Sequence, residues 1–324
     1  MTSRAPVPTQ PGMMILMNEN ASSGAVSARV TLSSRSFASD FGLASLQPTR
    51  ERSLMRSEFT HKMRSPAGTA SLGFLLTLVD YVTSDPALTV SAPDWTATQN
   101  LSLHAAGSVR QGPVLIDSNL VRVGKKAVVV SADVYDGCGL TDLGEFAKTI
   151  DSAAPPTGHG PILAGRALAT FVRLPRAAAT GADDYKPEEW VGRLRERNIE
   201  TVDGDIYSRL AMRVVDPAAG IVELELSPFV ANMIGTIQGG AQALLVEAAA
   251  HAIRPGLVAT DMQLHYLSQV RVGPARSYAD VVRDATDHSL VNVRLVDAGD
   301  DNRLLALTTV TLQRAAGLDN RVDR

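Results

Sequence analysis

The stretch GTIQGGAQALLVEAAAHAI, Gly235 to Ile253, places one carboxylate, Glu247, inside a segment that reads as a helix with apolar residues on every side. A helix that is hydrophobic all round is a buried one. A carboxylate taken out of water costs several kcal/mol unless it is paired or has a task. A second stretch, GTASLGFLLTLVD from Gly68 to Asp80, matches the first at five of 13 positions and also ends in an acid. An acid at the same place on two apolar helices has the setting that perturbs a pKa, and such groups concentrate at functional sites. The competing reading, two acids turned to solvent at helix ends, is disfavoured by the apolar surroundings. Gly239 and Gly240 open the second helix. Its first N–H groups lack intrahelical partners, the helix dipole adds positive charge there, and glycine leaves room for a ligand. That is a ready site for a developing oxyanion. Tight packing at a helix start is the other use of such glycines.

The elements that must position these groups repeat in the same order. Downstream of the helix windows, ATQNLSLHAAGSVRQGP aligns with ATDMQLHYLSQVRVGP, pairing His104 with His265 and Gly112 with Gly273. RALATFVRL then echoes LLALTTVTL. Three blocks in one order point to a tandem duplication. Each half reads as two extended segments, one apolar helix and four β-rich segments. The leading segments lie around 27–33 and 52–60 in the first half, and at RLAMRVVD and GIVELELSP in the second. The four that close the second half are VATDMQLHYL, ARSYADVVRD, SLVNVRLVD and RLLALTTVTLQ, whose alternation and β-branched content favour strands. Strands, a buried helix and more strands predict an α+β fold, an antiparallel sheet wrapped on a helix. Between the halves, TGADDYKPEEWVGRLRERN reads as a linker with an amphipathic helix starting near Pro187. The first half carries an insertion over 137–163, which suits a lid, a partner surface or a tolerated surface loop.

Composition narrows the function classes. A net charge of −3 gives no general reason to bind nucleic acid or an anionic membrane. A single cysteine, Cys138, rules out an intrachain disulfide, and the six histidines show no metal-ligand spacing. The apolar runs are too short to span a bilayer, and the polar, Pro-rich start does not read as a signal peptide. The expectation is a cytoplasmic protein.

NMIGTIQGGAQALLVE resembles the signature of hotdog-fold thioesterases of the phenylacetic-acid-pathway type. Asn232, Gly235, Gly239, Gly240 and Glu247 stand at its positions, and Gln238 replaces the usual His. MQLHYLSQVRVG is similar to the strand that follows in that family. The resemblance covers 206–313 well and 25–176 more weakly. With the repeat, it implies two tandem hotdog domains packed as an intramolecular pseudo-dimer. The expected boundaries are a tail over 1–24, a first hotdog domain over 25–176, a linker over 177–205, a second hotdog domain over 206–315 and a tail over 316–324.

In that family each site is shared across the dimer, and carried over here the two sites are unequal. One joins Asp80 and Thr98 of the first half to Asn232, Gln238 and Gly239 of the second, with every role filled. The other joins Glu247 to Ser65, Ser71 and Leu72, with Ala259 where the hydroxyl belongs. The resemblance thus implies one working site per chain, hydrolysing an acyl-CoA or related thioester. Gly239 N–H and Asn232 polarise the carbonyl, Asp80 is base or nucleophile, Thr98 positions water, and Glu247 is a remnant or a pocket residue. It calls for no metal and no cofactor beyond the CoA of the substrate. Lys125 and Lys126, two of the chain's five lysines, are candidates for the CoA phosphates, and solvated turn lysines are the other reading. Two alternatives stay open: a non-catalytic acyl-CoA or lipid-binding protein, and a hotdog dehydratase or hydratase, for which His251 past Glu247 is the one histidine in range. Association into homodimers or larger homo-oligomers is left open.

Overall fold

The computed structural model describes residues 37–152, 160–179, 185–196 and 204–314, and the backbone of 15–16 and 30–32. The expected tails, most of 27–33, part of the 137–163 insertion and parts of the linker lie outside the described residues.

Among the described residues, fifteen strands form one sheet. In the first half they are β1 (Ile15–Leu16), β2 (Val30–Leu32), β3 (Ala44–Thr49), β4 (Arg52–Ser57), β5 (Trp95–Ala105), β6 (Val114–Val123), β7 (Ala127–Asp136) and β8 (Ile162–Leu174). After β9 (Leu194–Glu196) come β10 (Arg213–Asp216), β11 (Ile221–Leu224), β12 (Val258–Tyr266), β13 (Ala275–Asp284), β14 (His288–Asp297) and β15 (Arg303–Gln313). The helices are α1 (Leu72–Ser91), α2 (Leu143–Asp151), α3 (Ile206–Arg209) and α4 (Gly239–Ile253).

The strand order is β1-β2-β9-β3-β4-β6-β7-β8-β5-β12-β15-β14-β13-β11-β10. All pairings are antiparallel except β2 with β9. From β3 and from β10 the chain runs the same course: two strands, a long helix, four strands. The two courses meet where β5 pairs with β12, with Ser102 opposite Gln263 at the centre. On either side of that centre, His104 bonds Asp261 and His265 bonds Asn100. Each half also turns at a glycine followed by a proline, where three successive N–H groups ending at the glycine donate to one buried aspartate: Arg110, Gln111 and Gly112 to Asp136, and Arg271, Val272 and Gly273 to Asp297.

The alternating strands bury one face against α1 and α4. α1 packs on β4 to β8, α4 on β11 to β15, and the two helices pack on each other. Both are apolar nearly all round, as a helix between a sheet and a partner helix must be. Pro86 sits inside α1 and cannot donate to the Val82 carbonyl, which accepts from the Ser118 hydroxyl at 3.3 Å instead.

Three expectations need correction. The strand that precedes β4 is β3; of the expected segment around 27–33 the described residues 30–32 form β2, which lies beyond β9 and does not pair with β4. Gln47-Pro48 interrupts the apolar alternation of β3 and hides it. The linker's amphipathic helix is absent among the described residues. A single 3-10 turn, Pro187–Trp190, leads into β9, which pairs with β3. Gly192, held at a left-handed φ of 77° between that turn and β9, breaks the helical run, and Arg195 beyond it bonds Asp85 on α1. In RLAMRVVD, Arg209 closes α3, and the strand starts only at Arg213. Within the insertion, α2 starts at an Asp142 cap and lays Leu143 and Phe146 on Leu54 and Leu115.

Candidate functional site

The first acid, Asp80, stands in the middle of α1 where that helix crosses the start of α4. Thr98 on β5 donates its hydroxyl to Asp80 at 2.7 Å. The pairing of β5 with β8 slips between Thr98 and Asn100, and such a bulge re-aims the side chains beside it. Asp80 also receives the Gly240 N–H. A methyl group at Gly239 would meet an Asp80 carboxylate oxygen at 2.9 Å, and one at Gly240 would meet the Thr77 backbone at 2.6 Å. Only glycine lets the helices come this close. Asp80 keeps some access to solvent. Enough protein surrounds the carboxyl that burial pushes its pKa up to about 6, against the opposing pull of Thr98 and Gly240.

The start of α4 is open. Its capping residue, Gln238, makes no side-chain cap bond, and among the described residues the Gly239 N–H has no partner. Gln238 instead accepts from the Tyr81 hydroxyl. Tyr266 donates its hydroxyl to the Gly239 carbonyl at 2.8 Å, and burial, then Asp80, raises its pKa far above the usual tyrosine value. Asn232 lies on the loop before α4. Its Oδ1 accepts from the N–H of Ile234 at 3.1 Å and of Thr236 at 3.3 Å, and its amide N–H groups have no partner among the described residues. No hydrogen bond joins Asn232 to Asp80 among the described residues.

The second acid has a different fate. Glu247 is fully buried and accepts from Leu72 N–H at 2.9 Å and Gly73 N–H at 3.0 Å. The Tyr207 hydroxyl donates to it at 2.9 Å. Ser71 caps the same helix through Phe74 N–H. Glutamate, one methylene longer than aspartate, reaches both leading N–H groups of the opposite helix and closes the site it would have served. Ser65, Leu72, Val109 and Ala259 line a cavity there of about 20 Å³, room for one water.

The residues expected to share a site are therefore gathered unequally. Asp80, Thr98, Gly239 and Gly240 are in contact. Gln238 is attached through Tyr81, and Asn232 adjoins through its loop. Glu247 is a helix cap. Lys125 and Lys126 are exposed at the β6–β7 turn, two strands from Thr98 across β8. His251 lies one turn past Glu247 without a bond to it. Tyr81, Tyr207 and Tyr266 escaped sequence reasoning. Their one signal was scarcity, since the chain has six tyrosines and three of them touch the two helix starts.

No protein-family model matches the sequence, and none of the curated proteins does. Solved structures do match. A 12:0-ACP thioesterase from Umbellularia californica superposes with a TM-score of 0.52 at 9% identity, over 81% of this chain and 94% of that one. The tesB protein of Mycobacterium avium subs paratuberculosis gives 0.51 at 9% identity, over 83% and 94%. A Lactobacillus plantarum protein provisionally described as an oleoyl thioesterase gives 0.51 at 11%, over 86% and 99%. At such identities the likeness is one of fold: a large antiparallel sheet on long helices, shared with thioesterases of hotdog type.

Proposed function

We propose that the chain hydrolyses an acyl thioester, acyl-CoA or a relative of it, at the Asp80 site. The observation that carries this reading is a carboxylate with a pKa near 6, bonded to a hydroxyl and held against the unfilled start of a glycine-opened helix. In this reading the chain is two hotdog domains joined in tandem as a pseudo-dimer, α1 and α4 each central to one. The thioester carbonyl oxygen takes the Gly239 N–H and the Asn232 amide. Charge that develops there meets a fixed dipole, and each such donor is worth about 100- to 1,000-fold in rate. Asp80, ionised near neutrality, deprotonates a water held by Thr98 or attacks the carbonyl itself. The thiolate leaves and takes up the proton released from water; on the second route the acyl–Asp80 anhydride is first hydrolysed by that water, and acid and thiol are released. The acyl group lies between α4 and the sheet, and Lys125 and Lys126 are offered to the CoA phosphates.

Free-thiol release from short, long, branched and aromatic acyl-CoAs tests this with wild type, Asp80→Asn and Glu247→Gln. Turnover by wild type and Glu247→Gln but not by Asp80→Asn supports the reading. Loss in Glu247→Gln alone moves the site to the other acid. Binding without turnover in every variant makes the chain a thioester-binding protein.

A further inference from the structure

The two helix starts differ at a second polar position. Aligned on their acids, α4 carries Gln242 where α1 carries Leu75. Leu75 lines the small cavity beside Glu247. Gln242 lies three residues into α4 from Gly239, on the same helix face as the glycine that touches Asp80. It is only 4% exposed. Its Nε2 donates to the Ile237 carbonyl at 3.0 Å, which fixes the orientation of the amide. The opposite end, Oε1, is buried without a donor among the described residues. Tyr266, the hydroxyl that touches Gly239, has committed its proton to the Gly239 carbonyl. A buried acceptor left unmade is costly, and an apolar chain laid against it would keep it unmade.

We infer that Gln242 is a specificity-determining residue which accepts a hydrogen bond from a hydroxyl on the acyl chain, so that the preferred substrates are hydroxyacyl thioesters. The inference rests on the thioesterase reading for the location of the acyl group. One helical turn separates Gln242 from Gly239, so the hydroxyl belongs on a carbon close to the thioester carbonyl. An acyl chain without it leaves Oε1 buried and unpaired, and sites built around a substrate hydroxyl reject analogues that lack it.

The test is a set of matched acyl-CoA pairs of equal length, plain or hydroxylated at the second, third or fourth carbon. They are assayed for hydrolysis with wild type, Gln242→Leu and Gln242→Met. Affinities are measured in parallel with thioether analogues that cannot be hydrolysed. Wild type is expected to favour one hydroxylated isomer on the order of 10- to 100-fold in kcat/KM and in affinity. Gln242→Leu, the residue of the other helix, is expected to abolish or reverse that ratio, and Gln242→Met keeps the volume should Leu unfold the chain. Equal ratios in wild type and variants overturn the inference and leave Oε1 to a bound water. Absence of hydrolysis with a persistent hydroxyl preference in binding would sink the thioesterase reading and keep Gln242 as the selector.

Discussion

At the residue scale, the two acids show how one methylene separates a carboxylate that keeps some access to solvent from one locked onto the start of the opposite helix. Asp80 has its pKa raised to about 6 by burial, so it is ionised at neutral pH and still basic enough to take a proton. The rate of hydrolysis, followed as kcat/KM, is expected to rise through about pH 6 and level off above it. Asp80→Asn is expected to lose 100- to 10,000-fold, on the order of what a positioned base contributes. Stability carries the opposite sign. A carboxyl whose folded pKa exceeds its unfolded value holds its proton more tightly when folded, so the fold loses stability as pH climbs from about 4 to 6. Asp80→Asn should remove that slope from melting curves. Persistence of the slope would mean that Asp80 is not the perturbed group. Glu247 makes the contrary prediction. Its two backbone N–H partners and Tyr207 depend on a carboxylate, so Glu247→Gln should cost about 2 kcal/mol of stability in chemical denaturation while the midpoint of the pH–rate profile stays put. Sequence pattern made both acids visible. Pattern alone could not rank them, and only the family resemblance did, because reach across to another helix depends on how closely α1 and α4 approach. Tyr81, Tyr207 and Tyr266 were hidden for the same reason, since each acts on a partner in a distant element.

At the element scale, that close approach is set by Gly73 and Gly240. A methyl group on Gly240 would sit 2.6 Å from the Thr77 backbone, and one on Gly73 would sit 2.9 Å from the Leu244 backbone. Neither neighbour is a flexible side-chain tip, so the helices must part. Alanine favours a helix over glycine by about 1 kcal/mol. Overpacking of a tight contact costs about 1–3 kcal/mol and wins in most cases. Gly240→Ala is therefore expected to lower the melting temperature, and to reduce turnover as well by moving Asp80 away from the start of α4. A melting temperature equal to or above that of wild type would show that the interface is looser than these distances. The duplicated order of helix and strands was legible because hydrophobic period and glycine placement are local. β3 and β9 were not. Each is short, β3 carries a proline, and both are held by pairing with residues far along the chain. The local charge and apolar spacing of EEWVGRLRER suggested a helix, and the left-handed Gly192 inside it, with the pairing of β9 on β3, makes a turn and a strand instead.

At the scale of the whole molecule, the covalent link between the halves is less essential than the surfaces they share. β5 pairs with β12 along five residue pairs from His104–Asp261 to Asn100–His265. Behind that seam, α1 and α4 pack with Leu76, Leu78, Val79, Leu244 and Leu245 all fully buried. Each helix start is met by the other half's acid, so under the proposed function neither half holds a finished site. A tether of moderate length supplies an effective concentration on the order of millimolar, and cutting it removes only that advantage. An interface with a continuous sheet and a buried helix pair is of the apolar kind that obligate complexes use, so the halves should stay together once the link is cut. A protease site placed directly after Glu196 leaves β9 on the first half, where it pairs with β3. Cleavage there is expected to yield two fragments that elute together in size-exclusion chromatography and retain most of the thioester hydrolysis of the uncut chain. Denaturation and separation of the fragments should abolish turnover in each, and mixing should restore it, because Asp80 and Thr98 travel with one fragment and Gly239 and Gly240 with the other. Full activity in either fragment alone would mean that a single half holds the whole site.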